Sequence, residues 1–125
     1  MEMIPRGLKA WFVLHFIVDI LFAIPLILFP DLVMSLFDIT SYDLLTPRLV
    51  GAALVGIGGV SFVIRNEGRI VYNALLSLKI LWSFAAMLGV AIYLLEGGSK
   101  MSSILFAIFF VFAGVWNYYK VILNR

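Results

Sequence analysis

From Leu8 to Pro30 the chain is apolar at nearly every position, and the run is broken near its middle by His15 and Asp19, four residues apart. Three more apolar stretches follow, and short polar segments punctuate them: Asp38–Asp43, Arg65–Arg69 and Glu96–Ser99. Roughly 20 residues at 1.5 Å each cross the hydrocarbon of a bilayer. The pattern therefore predicts four spanning helices, over about 8–29, 47–64, 69–95 and 100–122. Pro5 suits the start of the first span, after a lead of Met1 to Gly7. Pro25 falls inside that span and should kink its last turns. In the segment after Pro30, Leu32, Val33, Leu36 and Phe37 share one helical face and Asp31 and Asp38 lie off it. This reads as a short amphipathic helix in the interface.

Turn chemistry sharpens the boundaries. Thr46 and Pro47 form an N-cap followed by a first-position proline. Gly97 and Gly98 end the third span, and Ser99 caps the fourth. The second span is crowded with small residues. Ala52, Gly56 and Gly59 lie on one face of it, and such a face lets a neighbouring backbone come close. In the third span Tyr72, Lys79, Ala86 and Tyr93 recur every seven residues, with Ser83 on the same side. The fourth ends in Trp116, Tyr118, Tyr119 and Lys120, an aromatic and basic group suited to the headgroup level.

Composition changes the picture in one direction only. Of 125 residues, 64% are hydrophobic and 13% charged, more apolar surface than a soluble fold of this size can hide. The fold class is therefore an all-α four-helix transmembrane bundle, up-down-up-down, forming one domain over residues 1–125. The first apolar segment is too long and too polar at its centre for a signal peptide. There is no cysteine, so thiol chemistry and thiolate metal sites are excluded. The net charge of +2 rests on basic residues at span ends, where lipid phosphates are the natural partners and no nucleic-acid surface is available. Arg6, Lys9, Arg65, Arg69, Lys120 and Arg125 fall on one side, against Arg48 and Lys100 on the other. That asymmetry predicts both termini in the cytoplasm.

The candidate chemistry is intramembrane. Asp19 lies roughly 16 Å beyond Leu8, His15 roughly 10 Å, and Lys79 roughly 13 Å beyond Ile70. Charges at such depth pair with one another or mark a pathway. One reading is an Asp19–Lys79 ion pair that sets register, with His15 beside it. A second is a site at which His15, Asp19, Lys79 and Ser83 bind a small ligand or relay protons. A third, metal or haem ligation by His15, has one histidine to draw on, so no metal or other cofactor is expected. No nucleophile elbow or phosphate loop is present.

Phe29, Pro30, Leu36, Phe37, Arg48, Leu49 and Gly51 carry a resemblance across the first half of the chain. The run resembles small prokaryotic four-helix membrane proteins grouped as domains of unknown function. They share a Phe-Pro ending the first span, a Leu-Phe pair after it, and an Arg-Leu-x-Gly opening the second. The resemblance implies the four-helix architecture and a prokaryotic cell membrane, and no activity. The function favoured by the Asp19–Lys79–His15 centre is a non-enzymatic membrane protein that binds a small ligand there or relays protons, as a homo-oligomer or with a membrane-complex partner. Its rivals are an accessory or scaffold subunit with a purely structural Asp19–Lys79 pair, and a membrane-embedded enzyme acting on a lipid or quinone.

Overall fold

The computed structural model describes residues 3–125, so Met1 and Glu2 of the expected lead lie outside the described residues. Every regular element in it is helical: α1 (Arg6–Leu28), α2 (Pro30–Leu36), α3 (Leu45–Val63), α4 (Arg69–Leu95) and α5 (Ser103–Leu123). A single 3-10 turn, Lys100–Ser102, leads into α5. Four of the helical segments, Arg6–Leu28, Leu45–Val63, Arg69–Leu95 and Lys100–Leu123, are long and apolar enough to cross a membrane. Large apolar side chains stand outward in the middle of these segments, Leu21 at 67%, Leu81 at 71% and Phe110 at 62% exposure. Polar side chains would occupy such positions if water were the solvent. The chain is an integral membrane protein.

The described chain falls into two compact units, one up to Gly68 and one from Arg69 onward. In the first, α1 and α3 run antiparallel. Phe62 stacks on Phe16 at 4.8 Å between ring centroids, Gly58 lies against Asp19, and Gly51 lies against Ala23, Leu26 and Ile27. Apolar burial does little to hold helices together in lipid, so close packing must. Two glycines supply it. A Cβ at Gly51 would stand 2.7 Å from Ile27 Cγ1, and one at Gly58 would stand 2.5 Å from Asp19 Cβ. Within this unit the face of α3 that meets α1 is therefore not the expected one of Ala52, Gly56 and Gly59. A Cβ at Gly56 or Gly59 would meet nothing within 4 Å, and Ala52 is exposed. The buried positions of α3 are Pro47, Gly51, Leu54, Gly58 and Ser61, a different face of the same helix.

The ends of these helices follow from local chemistry. Phe29 donates its N–H to the Pro25 carbonyl at 2.7 Å, and Pro30 then restarts the chain as the first residue of α2. The Arg48 Nε–H donates to the Ile27 carbonyl at 3.1 Å, placing a cation on the C-terminal end of α1. Beyond α2, Asp38 N–H bonds the Ser35 carbonyl at 3.1 Å and Ile39 N–H the Met34 carbonyl at 2.9 Å. That pair of bonds is a Schellman ending, with Asp38 in the left-handed region at φ 54°. Tyr42 donates to the Asp31 carboxylate, a bond that closes the loop and holds the phenol above its ordinary pKa. α3 starts two residues earlier than Thr46–Pro47 implied. Asp43 accepts the Thr46 backbone N–H at 2.7 Å and its hydroxyl at 3.0 Å. Thr46 thus lies inside the first turn as a donor, and Asp43 does the capping.

In the second unit α4 and α5 also run antiparallel. Asn73 meets Asn124, Ser77 meets Lys120, and Trp82 meets Phe109 edge-on at 6.0 Å. α4 ends in a second Schellman motif: Gly97 N–H to the Leu94 carbonyl at 3.2 Å and Gly98 N–H to the Tyr93 carbonyl at 2.9 Å. Its two glycines have different causes. Gly97 takes the left-handed conformation, φ 88°. Gly98 lies under the Tyr93 ring, which a Cβ would approach to 2.5 Å. Ser99 accepts the Met101 N–H at 3.2 Å, as a cap for the turn that opens the last span.

Candidate functional site

α1 buries Leu8, Phe12, His15, Asp19, Ala23 and Leu26, a stripe spaced by threes and fours as a helical face requires. The two polar members sit at its centre. His15 Nε2 lies 3.3 Å from Asp19 Oδ2, and the side chains are 4% and 8% exposed. Spacing of four on a helix makes this contact without help from other elements. α3 shapes the space around it. Asp19 Oδ2 would lie 2.9 Å from a Cβ at Gly58, so the carboxylate rests against bare backbone. One turn on, Ser61 is fully buried and donates its hydroxyl to the Ile57 carbonyl at 3.0 Å.

The second unit holds the other polar residues. Tyr72, Leu76, Lys79 and Ser83 are the buried residues of α4, again one helical stripe. Lys79 is 1% exposed, and its ammonium lies 4.9 Å from the ring centroid of Trp116 on α5. That is cation–π range, and the attraction is strongest where water is excluded. Trp116 stacks on Phe112 at 5.6 Å and is wholly buried. The expectation that it belongs with Tyr118 and Tyr119 at the headgroup level is thereby corrected. Its indole faces the seam with α4 because Lys79 and Phe112 enclose it there.

Of the residues singled out by sequence, His15 and Asp19 come together in the first unit. Lys79 and Ser83 occupy one buried stripe in the second. Gly58, Ser61 and Trp116 complete these surroundings and were not singled out as part of a site. A histidine–aspartate pair in low dielectric can hold or release a proton, and the imidazole has a second nitrogen on its opposite edge through which to pass it. Among the described residues no three His, Cys, Asp or Glu side chains come together to hold a metal ion.

Another polar group lies near the other end of the seam. Lys120 donates to the Asn73 carbonyl at 3.1 Å, to the Asn73 side-chain oxygen, and to Ser77 Oγ at 2.8 Å. Asn73 and Asn124 exchange two amide bonds at 3.0 and 2.9 Å. Only Lys120 of this group had a reading from sequence, as an interfacial cation. Asn73 and Ser77 share a helical face by their spacing of four, which was the available signal. Compared with family models, curated proteins and solved structures, the chain matches none.

Proposed function

We propose that this membrane protein exchanges protons at the buried His15–Asp19 pair, relaying them across the bilayer or coupling them to a small polar ligand. The observation that carries the reading is the 3.3 Å contact between two titratable side chains, both almost wholly shielded, in the middle of a spanning helix. Ionisable groups at that depth are expensive, and a pathway is a common reason to keep them. Lys79 and Ser83 belong to the same proposal as the polar stripe of the second unit. The protein sits in a prokaryotic cell membrane with both termini in the cytoplasm.

The test is proton flux into liposomes loaded with a pH-sensitive dye, driven by a potassium diffusion potential. The wild-type chain conducts, and Asp19→Asn and His15→Gln each reduce the flux at least tenfold while remaining folded. Absence of wild-type flux, or its survival in both variants, overturns the relay. The coupled-ligand branch is read from the His15 imidazole by NMR. His15 is the chain's only histidine, so the signal needs no assignment. A pH titration of that signal unaltered by Asp19→Asn removes the coupled pair itself.

The close seat of Asp19 on Gly58 favours a second reading, an accessory or scaffold subunit in which the carboxylate serves packing. Depth along the chain predicts that Asp19 and Lys79 are then coupled. Breaking a buried pair by removing one partner costs about 3–5 kcal/mol. Asp19→Asn and Lys79→Met should each destabilise, and the double variant should recover much of the loss. Additive effects overturn this reading.

A further inference from the structure

We infer that the end of the α4–α5 seam at Asn73, Lys120 and Asn124 is a binding site for the phosphate of an anionic phospholipid. An ammonium has three donors, and those of Lys120 all go to neutral oxygens of α4: the Asn73 carbonyl, the Asn73 side-chain oxygen and Ser77 Oγ. These bonds hold the charge at a fixed depth, and among the described residues no carboxylate bonds it to balance it. Between Arg69 and Arg125 the one side-chain carboxylate is Glu96, at the far end of α4. The side chains of this unit therefore offer Lys120 no carboxylate at its own end, and a partly desolvated cation attracts an anion.

Two further cations adjoin the network along the chain. Asn73 and Asn124 lock the first turns of α4 to the last turn of α5 through their paired amides. Arg69 precedes Asn73 by one helical turn, about 6 Å along the axis, and Arg125 follows Asn124 directly. A guanidinium group carries five donors in a fork that matches phosphate, and Lys120 adds a fixed positive potential. Tyr118 and Tyr119, edge-on to each other at 5.1 Å, mark this level as the interface, where aromatic side chains collect. Basic pockets between spanning helices are a recurrent seat for acidic headgroups.

The test compares thermal unfolding of the full chain in nanodiscs of phosphatidylcholine with nanodiscs containing phosphatidylglycerol. The wild type should gain about 5 °C or more from the anionic lipid. Lys120→Gln should lose most of that gain. Because it also breaks the network, Arg69→Gln is the second variant: it leaves Asn73, Ser77, Lys120 and Asn124 intact and should reduce the gain by itself. Lys100→Gln, at the opposite end of the unit, should keep it. Equal stability in the two lipids overturns the site, as does retention of the full gain in both Lys120→Gln and Arg69→Gln. Inorganic phosphate added in a neutral detergent should give no comparable gain. If it does, the site takes a free anion and the lipid assignment falls.

Discussion

A single absent methyl group decides how α3 approaches α1. At Gly58 a Cβ would meet Asp19 Cβ at 2.5 Å, whereas at Gly56 it would meet nothing within 4 Å. A contact of the first kind cannot relax cheaply, because the obstructing atom is the root of a side chain. Gly58→Ala should therefore destabilise by about 1–3 kcal/mol. Gly56→Ala should be neutral or stabilising by up to about 1 kcal/mol, since alanine is the better helix former. Chemical unfolding in mild detergent checks the order, and a larger loss at Gly56 would refute this packing. The sequence of α3 by itself leaves its contact face undetermined. α3 carries Gly51, Ala52, Ala53, Gly56, Gly58, Gly59 and Ser61, so small side chains lie nearly all round it. Such a helix announces a close approach but not its direction. The direction was set by Asp19 and Ile27 on the partner helix, which no pattern within α3 encodes. His15 and Asp19 were legible for the opposite reason: both sit on one helix, where spacing of four fixes their contact.

At the scale of elements, the helix ends respond to single substitutions. Asp38 adopts φ 54° at the Schellman ending of α2. Asp38→Gly should stabilise by up to about 1 kcal/mol by removing the left-handed strain of a residue with a Cβ. Thermal unfolding detects this, and a destabilised Asp38→Gly would mean that the side chain matters more than its conformation. The cap of α3 is sensitive to pH. Thr46 N–H and hydroxyl bonds, the backbone N–H first, hold the Asp43 carboxyl below the ordinary carboxylate range. A depressed folded-state pKa contributes stability that is present above the unfolded pKa and is lost as pH falls through the folded one. The stability difference between wild type and Asp43→Ala should thus be full near neutrality and shrink under acid. A difference independent of pH would show that the charged carboxylate is not what caps the helix. The boundaries of α4 were readable because glycines and charged turns flank it. Those of α3 slipped because Asp43 outcompetes Thr46 as the acceptor, and two acceptor-bearing residues three apart look alike in sequence.

The whole molecule is governed by the number of crossings and by which ends are basic. Each unit is an antiparallel helix pair joined by a short connection: Pro30–Leu44 contains α2 in the first, and Glu96–Ser102 lies between α4 and α5 in the second. The turn between α3 and α4 is short as well, and in it Arg65 bonds the Phe62 carbonyl at 2.7 Å and lies over the Phe62 ring at 3.8 Å. Four crossings with connections this short should alternate in direction, which predicts Asn66 and Arg125 on one side of the membrane and the α2–α3 loop on the other. Excess arginine and lysine at the Asn66 and Arg125 side predict that it is cytoplasmic. Reporter insertions test this. Thr40–Ser41 is the right position in the α2–α3 loop, because it lies between the Schellman ending at Asp38 and the cap at Asp43 and disturbs neither. A reporter there should give the signal of the outer compartment, and reporters at Asn66 and after Arg125 the signal of the cytoplasm. Identical signals at Ser41 and Arg125 would mean an even number of crossings between them, incompatible with all of α3, α4 and α5 spanning. Inverted signals at all three positions would keep the four crossings and reverse the orientation. The count therefore rests on helix length and apolarity, and the orientation on six basic side chains alone.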